Sequence, residues 1–376
     1  MELRAGTTLV VDGPAAIWVV EGRVAVYGCV LDLRKKYILR PWRRYPLYVE
    51  EDAVVEMRLG EDSETEVFNG DTVDKAWADT AEKIEKGDIV AVLGRPDSGK
   101  TSYTTLAANI AIRKYGRCSV VSLDPGQPYF TPPTVVGAAT MEKQVHDLAE
   151  LKPFWQQPVG TTSAPHGTGA IMEGLEGLAD RLVRPVLVDM DGWVEGPAAA
   201  AHKSALLKTL LCTKSVLLSL EKQPVADTLT KAGITVSHIL ASEHVRQRAP
   251  DDRKKIREWL YRRFLGSLSL RMIPQTWVEL KAVGLQGIEP VELYGQAEQR
   301  LVEIFGENAN ILRKRTGLVS YLYGPNNTYI SLALFCGIDR EKNAVKILCR
   351  DHMGVKKILV GRVFLTSEGG ELFTLD

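Results

Sequence analysis

Gly94-Arg95-Pro96-Asp97-Ser98-Gly99-Lys100-Thr101 is the stretch on which the fold turns. It fits GxxxxGK[ST] in full. An apolar run, DIVAVLG at 88–94, precedes it, and a helical stretch from Lys100 to Lys114 follows. Strand, glycine-rich loop and helix in that order are the context a phosphate loop needs. The glycines let backbone N–H groups turn inward around phosphates. The helix start adds its partial positive charge. Lys100 is placed to bridge the β- and γ-phosphates, and the Thr101 hydroxyl to ligate Mg²⁺, with Ser102 beside it. A chance glycine-rich turn is the alternative, and the correct flanks argue against it. Binding of a nucleoside triphosphate such as ATP follows; the reaction does not.

Working outward, CSVVSLD (118–124), PVLVDMD (185–191), KSVLLSL (214–220) and ITVSHILAS (234–242) read as further strands with helical material between them. Such alternation predicts a mostly parallel sheet with helices on both faces. TVDKAWADTAEKIEKG reads as an amphipathic helix closed by Gly87. Before it, TLVV (8–11), AIWVV (16–20), VAVYGCVL (24–31), YPLYV (45–49) and VVEMRL (54–59) are short runs punctuated by Gly and Asp, as in a small β-sandwich or barrel. After Ser267 the pattern is β again: YISLALFCGID (329–339), AVKILC (344–349) and ILVGRVFL (358–365), with a helix at 291–306. The expected fold is α/β. A central P-loop domain (71–266) is flanked by an N-terminal β-sandwich (1–70) and a C-terminal mixed, β-rich domain (267–376).

The 376 residues are 45% hydrophobic and 25% charged, with 47 basic and 47 acidic side chains. That composition excludes a disordered or collagen-like chain and a polycation coating nucleic acid. Charge is nonetheless uneven: Arg34 to Arg44 holds six basic residues and no acid, and Glu50 to Glu66 holds eight acids. Solvated strand faces are the plain reading of both blocks. The five cysteines are scattered and odd in number, so free thiols are expected rather than disulfides or a zinc ribbon. There is no charged segment followed by an apolar one at the start, and no apolar run of about 18 residues. A soluble, cytoplasmic chain without membrane contact is the expectation.

Two acids compete to support the metal. Asp124 opens Asp124-Pro125-Gly126-Gln127, where a carboxylate and a carboxamide could orient a hydroxyl nucleophile. Asp189 lies near the end of PVLVDMD and reads either as a Mg²⁺ element or, with Asp191, as a strand-end turn before Gly192. Both fall at carboxyl ends of strands, where such sheets bind ligands. No NKxD-type guanine-reading segment appears. Arg246 to Arg263 carries eight Lys/Arg against three acids; it reads as an arginine lid over the transferred phosphoryl group or as an exposed basic helix. Gly192-Trp193-Val194-Glu195-Gly196 sets a Trp in a glycine-flanked turn, either to stack a base or to pack.

The set SLDPGQPYFTPPTVVGA, VGTTSAPHG, VDMDGWVEG and RQRAPDDR resembles the polynucleotide 5′-hydroxyl kinase family. That family includes the RNA kinase subunit of the pre-mRNA cleavage machinery, the kinase of pre-ribosomal RNA processing and compact archaeal homologues, which this chain resembles most. The resemblance implies ATP as phosphate donor, Mg²⁺, and RNA or DNA with a 5′-hydroxyl end as acceptor, with RNA-processing proteins as partners. It implies that Gly94 to Thr101 form the Walker A loop. Asp124, near the metal and the attacking hydroxyl, and Gln127 match the family's DxxQ loop. Thr161, Thr162 and Ser163 match its clasp, Arg248 and Arg253 its lid arginines, and Trp193 its substrate-stacking Trp. Glu2 and Arg44 match the N-terminal residues that touch the nucleotide base.

A P-loop ATPase or an ATP-binding scaffold acting in RNA-processing assembly is the rival reading. Neither needs a base platform or an acceptor channel, and the intact Lys100, Thr101, Asp124, Gln127, Arg248 and Arg253 argue for transfer.

Overall fold

The computed structural model describes residues 1–219 and 223–375. By compactness the chain divides into two units. The first comprises residues 1–123, 138–154 and 175–252, and the second 124–137, 155–174 and 253–376.

In the first unit, Ile89–Gly94 is flanked by Val186–Met190 on one side and Lys214–Leu218 on the other. Cys118–Leu123 lies beyond the former and Thr235–Ile239 beyond the latter. All these pairings are parallel. IVAVLG, CSVVSL and VLVDM are buried at every position, as strands covered on both faces must be. Of the expected strand at 214–220, Lys214–Leu218 forms, and Leu220 lies outside the described residues. Chain order reverses about Ile89–Gly94, so the phosphate loop leaves the sheet at its switch point, where ligands bind. The following helix is Lys100–Tyr115, closed by Gly116 in the left-handed region. The helix expected to run to Gly87 is only Lys75–Glu82. Asp74 caps its start by accepting from Ala76 N, and Lys83 ends it.

The N-terminal strands form one hydrogen-bonded sheet. Runs that read as separate strands are fused: Ala15–Val26 spans both AIWVV and the start of VAVYGCVL, and Arg44–Leu59 spans YPLYV and VVEMRL. The polar interruptions are bulges within paired strands, with register shifts between Val19 and Val24. A bulge bends a strand without ending its ladder, and polarity alone does not separate it from a turn. Gly22 makes this bend: its φ is 81°, and a Cβ there would lie 2.0 Å from Asp52 O.

The basic block at 34–44 is more than a solvated face. Arg40 and Arg43 both pair with Asp147, and Arg44 pairs with Asp12. Asn109, within the helix after the phosphate loop, donates to Tyr27 O and Val145 O. These contacts bring the N-terminal sheet and the P-loop helix into one unit.

The second unit is built on a mixed sheet with the order Ser269–Pro274, Ala344–Cys349, Tyr329–Asp339, Thr316–Tyr323, Lys357–Thr366, Glu279–Ala282. Its central strand TGLVSYLY has every residue buried. Leu318 and Leu322 face a core that includes Leu293, Ala297 and Leu301 of the Pro290–Phe305 helix. Val319, Tyr321 and Tyr323 face a second core with Tyr261 and Leu265. Burial on both faces removes the polar alternation by which a strand is recognised, and this one escaped the sequence reading.

Candidate active site

The phosphate loop is closed by backbone that favours glycine. Gly94 has φ 155°, Asp97 57° and Gly99 91°. A Cβ on Gly94 would stand 2.4 Å from Ser98 Oγ and 2.7 Å from Leu218 O, and one on Gly99 would stand 2.7 Å from Trp77. A side chain at either place would clash with these neighbours. Ser98 Oγ is buried with no hydrogen-bond partner, which suits a phosphate oxygen. Lys100 is buried and its Nζ donates to Arg95 O at 2.8 Å, folding across the loop. Thr101 Oγ1 donates to Asp189 Oδ2 at 2.7 Å. With its proton engaged there, the hydroxyl has lone pairs left to offer a cation. Ser102 Oγ accepts from Tyr27 OH at 3.0 Å. The loop thus fits a nucleotide phosphate chain, and Thr101 with Asp189 fits a hard divalent cation bound through oxygen.

Arg248 lies against this loop. Its N–H and Nη1 donate to Asp97, at 3.2 and 3.4 Å, and its Nε donates to Trp42 O at 3.1 Å. Burial lowers its pKa; Asp97 opposes that effect, and Arg43 and Arg40 add to it. Arg43 was not singled out by motif. It is nearly buried, 3.5 Å from Asp147 Oδ1, with Nη2 lacking a partner. Burial works against its charge, but Asp147 together with Tyr45, Tyr27 and Asp189 outweighs it and the pKa is raised. In Arg43-Arg44 alternation sends one side chain inward, and only pairing shows which. Arg44 binds Asp12 at 2.8 and 3.0 Å and reaches His244 O at 3.4 Å. Glu2 is exposed, in register with Val54.

The turn that carries Trp193 adjoins the loop. A Cβ on Gly192 would stand 2.7 Å from Pro96 Cγ, so only glycine lets the two backbones meet. Arg95 and Glu195 form an ion pair. Trp193 is half-buried, its N–H donates to Asp191 Oδ1 at 2.8 Å, and its ring centroid lies 5.5 Å from that of His202.

The remaining motif residues belong to the second unit. Asp124 Oδ1 accepts from Gly126 N and Gln127 N, both at 2.9 Å, which shapes the loop. Gln127 Nε2 donates to Arg253 O at 3.2 Å, so the DxxQ loop touches the start of the Pro250–Leu265 helix. A Cβ on Gly126 would lie 2.9 Å from Thr162 O; the same loop therefore rests on the segment at 161–163. Thr161 Oγ1 accepts from Ser163 N at 3.2 Å, ahead of the Ala164–Leu175 helix. Within this unit the structure brings Asp124, Gln127, Thr162 and Arg253 together. Further along the basic helix, Arg257 is bound to Glu371 at 2.7 and 2.9 Å and so serves packing.

Among the described residues no group of three or more His, Cys, Asp or Glu side chains could hold a metal, and no helix is long and apolar enough to cross a membrane. The five cysteines are free thiols. Burial pushes all of them up, Cys29 to about 11 and Cys118 to about 12.

Comparison with known proteins adds the following. Residues 94–267 match the P-loop of mRNA cleavage and polyadenylation factor CLP1. The polyribonucleotide 5′-hydroxyl-kinase of Pyrococcus horikoshii is 27% identical over 192 residues, which cover 50% of this chain and 52% of that protein; this match spans about half the relative's length. That of Methanocaldococcus jannaschii is 24% identical over 326 residues, covering 76% of this chain and 90% of that protein. The solved structure of a Clp1p–Pcf11p complex superposes with a TM-score of 0.70 at 14% identity, over 96% of each chain, a likeness of fold. Residues 94–267 are thus similar to the CLP1 P-loop, and the chain is similar to archaeal polyribonucleotide 5′-hydroxyl-kinases, in line with the resemblance carried by its motifs.

Proposed function

We propose that the protein is a polynucleotide 5′-hydroxyl kinase that transfers the γ-phosphoryl group of ATP to the 5′-hydroxyl end of RNA. The observation that carries this is the Thr101–Asp189 bond beneath a complete phosphate loop, with the Trp193 turn packed against that same loop. An assembly ATPase needs the first and not the second.

The phosphate loop holds the donor, with Lys100 Nζ moving from Arg95 O to the phosphate oxygens. Thr101 and Asp189 would hold Mg²⁺, which when bound would neutralise charge that builds on those oxygens. We prefer Asp189 to Asp124 as the metal support because of its bond to Thr101. Trp193 offers a face for the terminal base. Asp124, oriented by the amides of its own loop and backed by Gln127, takes the hydroxyl proton or fixes that oxygen. Arg248 and Arg253 meet the charge of the phosphoryl group in transit. Thr162 and Ser163 line the acceptor. Glu2 and Arg44 contact the donor's base, on resemblance alone. Placement and electrostatics do most of the work in such a reaction.

The proposal includes three domains with boundaries near 70 and 266, DNA 5′ ends as a second acceptor, an RNA-processing protein partner and a cytoplasmic location. The partner is suggested by the Pcf11p bound to the similar Clp1p, and the location by the free thiols. Incubation with γ-labelled ATP, Mg²⁺ and 5′-hydroxyl oligonucleotides of RNA and DNA tests the reading. A labelled RNA product is expected; ATP hydrolysis without one would return the protein to the assembly ATPases.

A further inference from the structure

The helix Gly196–Thr209 buries a lysine completely. Lys203 is 0% exposed, beside Asp191 at 3% and His202 at 5%. Lys203 Nζ grips Asp191 twice, at the carboxylate Oδ2 and at the backbone carbonyl, the latter at 3.2 Å. His202 Nε2 lies 3.3 Å from the same Oδ2. An ionised carboxylate only accepts, so this nitrogen carries the proton. The other oxygen, Oδ1, receives the Trp193 N–H, and the Trp193 ring leans on the His202 ring at 42°. Burial alone would raise the Asp191 carboxyl, but Lys203 and His202 outweigh it and hold it well below the usual carboxylate range.

Stability does not call for this arrangement. A buried ion pair replaced by apolar residues of similar volume is often neutral or stabilising. What the pair supplies is direction. Lys203 fixes both the carboxylate and the carbonyl of Asp191, and so fixes the dihedrals that launch the next two residues. Those residues are Gly192, pressed on Pro96 of the phosphate loop, and Trp193.

We propose that Lys203, acting through Asp191 and aided by His202, is a positioning residue of the acceptor site: it fixes the turn that meets the phosphate loop at Gly192 and so sets the Trp193 ring where a terminal base on it presents its 5′-hydroxyl to the donor. The proposal rests on the kinase reading and adds to it a residue that touches neither substrate.

The test uses two variants. Lys203→Met leaves the Asp191 charge buried and is expected to weaken folding. Asp191→Asn/Lys203→Met removes both charges and keeps an oxygen for the Trp193 N–H. In the double variant the oligonucleotide KM, and its Kd by fluorescence anisotropy, should rise roughly tenfold, within the range lost with a stacking platform. The KM for ATP should stay within about twofold. Adding Trp193→Ala to the double variant should cost little more, because both changes disable the same element. A double variant that folds and binds oligonucleotide like the wild type overturns the assignment. So does one that loses ATP and oligonucleotide affinity equally, or one whose loss adds in full to that of Trp193→Ala. The wild type separates the two readings. If it yields no labelled product the kinase assignment fails, and the anisotropy arm still decides the role of Lys203.

Discussion

Thr101 Oγ1 and Asp189 Oδ2 meet at 2.7 Å, joining the first turn of the Lys100–Tyr115 helix to the end of the Val186–Met190 strand. The helix start and the strand end belong to parallel neighbours, since Asp189 is in register with Val92 of the loop-bearing strand. The carboxylate is therefore delivered by the sheet itself.

Asp189→Asn keeps the shape and loses the charge that would support a cation at Thr101. Turnover should fall by about 10²–10³, on the order of 2.7–4 kcal/mol of transition-state stabilisation. Asp124→Asn should also lower turnover while ATP still binds. Metal titrations separate the two: the Asp189 variant should need more Mg²⁺ for half-maximal rate and the Asp124 variant should not. The reverse pattern would exchange the two roles.

Lys100→Ala removes the ammonium that lies across the loop at Arg95 O. A loss of about 3 kcal/mol or more in kcat/KM is expected. Single-turnover rates with labelled ATP measure it, and an unimpaired variant would move the chemistry away from this loop.

Trp193→Ala should raise the oligonucleotide KM roughly ten- to a hundredfold, since stacking contributes ~1–3 kcal/mol per base. The KM for ATP should hardly move. Arg248→Ala and Arg253→Ala should instead lower kcat, because their interaction grows with charge on the transferred group. Steady-state kinetics with both substrates varied distinguishes a platform from a lid. Arg248 also bonds Asp97 of the loop, so its variant should raise the KM for ATP more than the Arg253 variant does.

Asp147 anchors the N-terminal sheet by pairing with Arg40 and Arg43. Burial would raise its carboxyl, but the two guanidinium groups hold it well below the usual range. A carboxyl depressed by folding contributes stability above its unfolded pKa, about 3.9, and loses it as pH falls through the folded value. Asp147→Asn should cost about 3–5 kcal/mol at pH 7. The gap should hold down to roughly pH 5 and narrow below pH ~4. Urea unfolding of both proteins across that range checks the sign; a gap that widened on acidification would contradict it.

The phosphate loop was fully legible from order and residue type, because GxxxxGK[ST] needs backbone freedom and a lysine at set places in one short segment. The parallel strands were legible for a similar reason: IVAVLG and CSVVSL are continuous apolar runs bounded by polar turns. Only the tertiary structure decided what depends on partners distant in the chain. That Asp189 meets the phosphate-loop threonine rested on Thr101, 88 residues away. That Arg43 turns inward rested on Asp147, and that Lys203 is a buried clamp rested on Asp191. Likewise Glu21-Gly22-Arg23 is a bulge and not a turn because Arg44–Leu59 continues the ladder beside it, and Thr316–Tyr323 has no polar face because two cores cover it. Local backbone preference and hydrophobic period act over a few residues and can be read from the chain; charge pairing, burial and strand register are set by neighbours in space.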